Sequence, residues 1–375
     1  MSKLPKVGTT IFTVMSQMAN EYGAINLSQG FPNFPVDERL TEILRQKANE
    51  NVHQYAPMGG NPVLLERVAE VIQQQYGRTC LPSDEILVTA GATQAIFAII
   101  QALVAAGEEV LILDPSYDCY EPPVVLTGAR PVRIPLSDDF MPDWDQIFSA
   151  VNSRTKLLII NNPHNPSGRV WKAEDLTKLE ELVEKNPGLI ILSDEVYEFI
   201  TFEQKHISLN SREKLRDRSV IVSSFGKTFH ITGWKVGYVV APKSLMTEIK
   251  KVHQFLVFCV NSVAQASLAD YMKLVDVSEL GAFYQEKRDF FREQIAGSRF
   301  RLLPSEGSYF QLASYEAISD LSDLEFTRSL VTHHGVAAIP LSVFNEDGRD
   351  QKLIRFCFAK DNETLTKAAE RLCRI

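Results

Sequence analysis

The chain runs to 375 residues, with 45% hydrophobic and 23% charged side chains and a formal net charge of −8. That length accommodates two or three domains with ample core, and an acidic balance without a long basic run argues against nucleic-acid binding as a main role. No apolar stretch reaches membrane-spanning length, and the opening MSKLPKVGTT has no signal-peptide apolar region, so a cytoplasmic protein without a membrane partner is expected.

From Thr10 to Ala19, the residues Ile11, Val14, Met15 and Met18 fall on one face at helical spacing and predict an amphipathic helix. INLSQGFPNFP, with Gly30, Pro32 and Pro35, reads as an extended, turn-rich segment. Residues 37–50 and 61–76 read as helices separated by VHQYAPMGG. From residue 86 a rhythm begins, with apolar runs at 86–90, 109–113, 157–160, 189–192, 219–223 and 236–240 and mostly helical spacers between them. This is an α/β pattern with a largely parallel, buried sheet. The helix predicted at 92–105 is apolar nearly all round and belongs inside a large domain. One long helical stretch is expected at 243–273. After it come a helix near 280–296, short strands near 308–313 and 353–358, and helices near 322–334 and 361–373. This tail is expected to pack with the N-terminal segment as a small α+β domain. The boundaries are set at 1–40 for that segment, 41–275 for the large domain and 276–375 for the C-terminal part.

Polar residues follow the apolar runs almost one per strand: Gly91 and Thr93, Tyr117, Asn165, Asp194, and Ser224 with Lys227. Ligands of open α/β sheets bind at the carboxyl ends of strands, so five converging strand ends are a site hypothesis. Taken singly, each has a plainer explanation. Gly91-Ala92-Thr93 opens a helix whose free N–H groups suit a phosphate, or simply caps it. Asp194 ends the apolar run GLIILSD and is either a desolvated anion awaiting a cation or a capping aspartate. Asn165 sits in HNPSG, where Asn-Pro turns also form for local reasons. Arg355, in LIRFCF, is either an edge residue reaching water or a fork for a carboxylate. Tyr55, Tyr117, Phe12, Tyr22 and Phe31 are each explained as well by loop, core or helix packing.

Lys227 is the most informative position. It lies in SVIVSSFGKTFHITGWKVGYVVA, on a loop between two buried strands, where an ammonium is out of place without a task. Phosphate binding in a P-loop is rejected, because the glycine needed five positions before Gly226 is Ile221. A carboxylate-paired loop lysine and a Schiff-base lysine carrying a carbonyl cofactor both remain. G-x-G-x-x-G, G-x-S-x-G and H-E-x-x-H are absent. The seven histidines show no metal-ligand spacing, and the adjacent His333 and His334 suit a surface helix end. The five cysteines are scattered without a C-x-x-C, as expected of free thiols in a reducing cytoplasm.

SSFGKTFHITGWKVGY resembles the cofactor-lysine segment of pyridoxal-phosphate aminotransferases of fold type I. Similarity extends from about Thr9 to the last helix through INLSQGFPNFP, QYAPMGG, VTAGATQA, DPSYDCY, HNPSG, SDEVYE and HGVAAIPLSVF. It is strongest toward the group acting on methionine, kynurenine and glutamine–phenylpyruvate. The resemblance implies a large domain with a mostly parallel seven-stranded sheet, a smaller α+β domain, and a homodimer in which Tyr55 reaches the neighbouring active site. It implies that Lys227 carries pyridoxal 5′-phosphate and then serves as general acid–base. Gly91, Ala92, Thr93, Ser224 and Lys235 would hold the phosphate. Lys235 stands where many relatives carry arginine, which leaves a point charge in place of a bidentate clamp. Asp194 would pair with the pyridine nitrogen, Asn165 and Tyr197 with the phenolate, and Tyr117 with the ring face. Arg355, with backbone around Gly30, would bind the substrate α-carboxylate. Phe12, Tyr22 and Phe31 would line the side-chain pocket. The implied reaction moves the amino group of methionine, and of aromatic amino acids, histidine or glutamine, to a 2-oxo acid. A cysteine-conjugate β-lyase using the same cofactor, and a non-catalytic ligand-binding module, are the rival readings.

Overall fold

In the computed structural model, which describes residues 2–5 and 7–375, helix Ile11–Glu21 leads into the two-residue strand β1 (Ile25–Asn26). Thr10 caps that helix by accepting from the Thr13 N–H, and Met15 and Ala19 are buried. Helices Glu38–Lys47 and Pro62–Tyr76 follow as predicted. The second is bounded by an Asn61 cap, proline in its first turn, and Gly77 in the left-handed region that an unbranched backbone adopts without strain.

The predicted apolar runs form β2 (Ile86–Thr89), β3 (Glu109–Asp114), β5 (Thr155–Asn161), β6 (Ile190–Asp194), β7 (Ser219–Ser224) and β8 (Gly237–Val240), joined by β4 (Arg130–Pro135). They make one seven-stranded sheet in the order β2-β8-β7-β6-β5-β3-β4. β8 alone runs antiparallel to its neighbours. Its reversal matters to the site: Gly237, the first residue of β8, pairs with Thr89 and Ser224, the last residues of β2 and β7. The start of β8 therefore lies at the same rim as the carboxyl ends of the other strands. β4 was not anticipated, because it is an edge strand carrying Arg130, Pro131 and Arg133, partly exposed along most of its length.

Two further expectations are corrected. The stretch 243–273 is two helices, Lys243–Leu256 and Ser262–Tyr271. The break holds Phe258 at φ +67° and Asn261, whose side chain caps the second helix. Lys227 is not on an open loop but within a single helical turn, Phe225–Thr228. The buried helix is Gly91–Leu103.

Past helix Leu280–Gln294 the chain forms β9 (Arg301–Leu302), β10 (Phe310–Ser314), β11 (Val336–Ala337), β12 (Ile339–Pro340) and β13 (Leu353–Cys357). β12-β13-β10-β9 is a four-stranded antiparallel sheet, while β11 pairs in parallel with β1 and so ties the N-terminal segment to the C-terminal part. Helices Asp323–His334 and Asn362–Leu372 cover it, and His333 and His334 end the first of these. All five cysteines are free. Among the described residues no helix is long and apolar enough to cross a membrane, and no cluster suits a metal ion.

Four residues past the end of β6 lies a buried carboxylate that forms no salt bridge among the described residues. Glu198 accepts from the hydroxyls of Tyr76, Ser223 and Tyr238. Glu195 stands nearby and is itself paired with His206 at 2.9 Å. Burial, followed by the Glu195 charge, raises Glu198 to about 7 from its ordinary 4.5. The folded chain then keeps a proton that the unfolded chain releases, so this group lowers stability as pH rises from 4.5 to 7, by roughly 3 kcal/mol. Glu198→Gln mimics the protonated acid. Urea unfolding at pH 5 and 7.5 should show a smaller loss of stability with pH for the variant than for the native chain. Parallel losses would show that Glu198 is ionised throughout.

Candidate active site

The rim where these strands end opens into a cavity of about 490 Å³ lined by residues from both sheets and from the N-terminal segment. Lys227 enters from the end of β7. Its Nζ donates to the Gly30 carbonyl at 3.1 Å and to the Tyr309 hydroxyl at 2.9 Å. It makes no salt bridge with any described residue, so the carboxylate-paired reading of this lysine fails. Burial, with the charges of Arg355 and Lys235 behind it and Asp194 opposing, lowers it from 10.5 to about 8.

Asp194 closes β6 and is buried. It accepts from the Tyr120 hydroxyl at 2.6 Å and from the Val196 N–H at 3.3 Å. Burial raises it to about 6 despite those donors. Like Lys227, it makes no salt bridge among the described residues. A desolvated carboxylate with only neutral donors is the group that a protonated heterocyclic nitrogen would complete.

Helix Gly91–Leu103 points its N-terminus at the cavity, and no side chain caps it. Gly91 is at φ +76°, and a Cβ there would stand 3.3 Å from the Lys235 Nζ. The bare glycine thus leaves room between free N–H groups and an ammonium, and Thr93 and Ser224 line the same cavity. This donor set suits a phosphate. Lys235 comes to it from just ahead of the reversed strand β8.

Arg355, in β13 between β10 and β12, is 1% exposed, so it is no edge residue. Its Nη1 donates to Asn165 Oδ1 at 2.6 Å and its Nη2 to the Ser28 carbonyl at 3.1 Å. The guanidinium carbon lies 3.9 Å from the Phe310 ring centroid, and buried Nε has no partner. Asn165 is held by its N–H on Asn161, whose side chain in turn donates to the Asp194 carbonyl. Tyr197 is buried, with its ring edge-on to Tyr309 at 5.1 Å. Tyr117 lines the cavity beside Phe12, at 6.2 Å between rings.

The cavity therefore gathers Gly91, Ala92, Thr93, Tyr117, Asn165, Asp194, Tyr197, Ser224, Lys227, Lys235, Gly30, Phe12, Phe31 and Arg355. Tyr22 is not brought there: it follows the last turn of helix Ile11–Glu21 and is 57% exposed. Tyr55 is 82% exposed, edge-on to Phe258, and does not line this cavity. Tyr120 and Tyr309, which grip Asp194 and Lys227, were not anticipated. Tyr120 sits within DPSYDCY, three residues past Tyr117, where alternation of polar and aromatic residues was a usable signal. Tyr309 had none.

The cavity thus brings together a buried lysine with a lowered pKa, a buried carboxylate, an uncapped helix N-terminus beside an ammonium, and a buried guanidinium. The profile described as aminotransferase class I and II matches residues 22–372. Methionine aminotransferase of Escherichia coli (strain K12) is 48% identical over 99% of this chain and 97% of its own length. Kynurenine–oxoglutarate transaminase 3 of Homo sapiens is 32% identical over 98% of this chain and 88% of its own. A crystal structure of YbdL from Escherichia coli, described with a methionine aminotransferase function, superposes with a TM-score of 0.98 at 47% identity, covering 100% of this chain and 99% of that one.

Proposed function

We propose that this chain, which belongs to the aminotransferase class I and II family and is a pyridoxal-phosphate-dependent transaminase of fold type I, uses methionine as amino donor and a 2-oxo acid as acceptor. Aromatic amino acids, histidine and glutamine are secondary donors in this reading. It is carried by one observation: a buried lysine and a buried carboxylate, neither in a salt bridge, share a cavity with a buried arginine. The 48% identity to a methionine aminotransferase supports the choice of donor. So does the cavity lining, in which Arg355 is the sole arginine among the described residues, leaving no second fork for a side-chain carboxylate.

Bound pyridoxal phosphate supplies an electron sink for the pair released at the substrate Cα. Lys227 would hold the cofactor and, when free, would take the Cα proton on its Nζ. An amine near 8 is partly neutral at physiological pH, as a general base must be. Asp194, held in place by Tyr120, would keep a proton on the ring nitrogen. The Gly91, Ala92 and Thr93 amides, with Ser224 and Lys235, would bind the phosphate, and Tyr117 would offer its ring to the cofactor. Asn165 and Tyr197 serve the phenolate oxygen. Arg355 and backbone near Gly30 receive the α-carboxylate, while Phe12 and Phe31 face the thioether side chain. The enzyme works as a cytoplasmic homodimer, with the exposed Tyr55 and Phe258 pair offered to the neighbouring subunit. The segment 1–40 and residues 276–375 form its small domain around the β1–β11 pairing.

A panel of amino donors against several oxo acids, run with the purified yellow protein, tests the reading. Methionine should give the highest kcat/KM, with ping-pong kinetics. Likeness to the kynurenine transaminases supports a second reading. In it, kynurenine or glutamine leads the panel, and pyruvate and ammonia appear from a cysteine conjugate. Absence of turnover with every pair would favour a non-catalytic ligand-binding module.

A further inference from the structure

Tyr309 stands immediately before β10, fully buried, and its hydroxyl closes a triangle that no other part of the site requires. The hydroxyl donates to the Gly30 carbonyl at 2.6 Å and accepts from Lys227 Nζ at 2.9 Å, while Nζ also donates to the same carbonyl at 3.1 Å. A phenol has one proton to give. With Gly30 taking it, the oxygen lone pairs of Tyr309 face the lysine, and both bonds to Nζ need only the lysine's own N–H groups. An ammonium and a neutral amine can both supply them, the ammonium more strongly because its hydrogen bonds are charge-assisted.

The phenol cannot swing away. Its ring packs edge-on to Tyr197 at 5.1 Å and against Tyr284 at 5.7 Å, and its carbonyl accepts from the Phe358 N–H at 3.1 Å. The backbone it grips is also fixed from the same side. Arg355 donates to the Ser28 carbonyl at 3.1 Å and Lys360 to the Phe31 carbonyl at 2.6 Å. Three side chains from the C-terminal part thus hold three carbonyls of the segment 28–31, and only the middle one also holds the lysine.

We propose that Tyr309 is a positioning residue that parks the free Lys227 amine against the Gly30 carbonyl, fixing where the base waits between its covalent attachment and its proton transfer. The proposal rests on the reading of Lys227 as the cofactor lysine. Tyr309 remains a neutral phenol, since burial raises its pKa well above the ordinary value. Charged and titratable groups facing Lys227 are Cys357 and Arg355 from β13, Asp194 from β6, Tyr197 beyond it, and Lys235 ahead of β8. Tyr309→Phe leaves all of them in place and removes one acceptor from the ammonium.

The test compares native protein, Tyr309→Phe and Lys227→Ala. Cofactor-free protein takes up pyridoxal phosphate at a rate set by the neutral amine, followed by visible absorbance and by borohydride-trapped label. The pH midpoint of that rate should lie near 8 in the native protein and fall by roughly half a unit to one unit in Tyr309→Phe. In the holoenzyme, kcat with methionine should fall roughly tenfold, with KM within about twofold. The kinetic isotope effect with α-deuterated methionine should rise, because proton transfer becomes slower relative to the other steps. A midpoint or an isotope effect that stays at the native value overturns the proposal. Label persisting in Lys227→Ala would instead overturn the assignment of the lysine, so the two failures are told apart.

Discussion

Lys227→Ala is expected to lower kcat by about 10³-fold or more and to abolish borohydride-trapped label, while the protein still folds and binds pyridoxal phosphate. The rate loss reflects removal of both the covalent anchor and the general base, the latter alone contributing about 10²–10⁴-fold. Folding survives because Tyr309 and Gly30 remain bonded to each other at 2.6 Å when the amine is gone. The lysine also costs stability where it is. Its folded-state pKa is lowered to about 8 from 10.5, so the burial penalty is fully present below pH 8 and is relieved as pH rises toward 10.5. At neutral pH the unfolding temperature of the cofactor-free variant should match or exceed that of the cofactor-free native protein. Cofactor retention follows from parts the substitution leaves intact: the uncapped helix N-terminus at Gly91, Lys235, and Asp194 with its Tyr120 donor. Equilibrium dialysis and multiple-turnover assays with methionine check both halves. Retained turnover would remove Lys227 from the mechanism.

How far the sequence foretold this arrangement depends on how local each signal was. Asp194 stood out because it ends a largely apolar strand and Lys227 because it follows another by three residues, and a parallel sheet aligns such ends without further information. Lys235 was named through the resemblance and not through patterning, because the reversal of β8 that brings it to the rim is not revealed by a buried strand, which reads the same in either direction. β4 escaped because edge strands tolerate the arginines and prolines that disqualify a central one. The break at 257–261 was hidden inside a helical pattern, marked only by Asn261 as a cap. Tyr309 gave no local signal, and Tyr120 only its place three residues past Tyr117 in DPSYDCY. Their hydroxyls act on groups 279 and 74 residues away in the chain, and no spacing rule connects them. Tyr22 erred in the opposite direction: near Phe12 in sequence, it falls where helix Ile11–Glu21 ends at the surface.

Arg355→Ala should lower kcat/KM for methionine by about 10²–10⁴-fold, equivalent to about 3–5 kcal/mol for truncating one partner of a buried charged pair. Most of the loss should appear in KM. The guanidinium is oriented before any substrate arrives, by Asn165 on one nitrogen, the Ser28 carbonyl on the other and the Phe310 ring beneath it. Orientation of this kind makes a planar fork selective for a carboxylate. Removing it leaves Asn165 Oδ1 and the Ser28 carbonyl without their donor and the incoming carboxylate without a charge partner. Two comparisons separate recognition from structural collapse. Arg355→Lys keeps a point charge but not the fork, and should fall between native and alanine values. Binding of a methionine analogue lacking the carboxylate should be nearly the same in native and alanine proteins, because the missing group is the one Arg355 reads. A KM for methionine unchanged in Arg355→Ala would mean that the carboxylate is held elsewhere, and that this buried arginine serves only to join Asn165 to the Ser28 backbone.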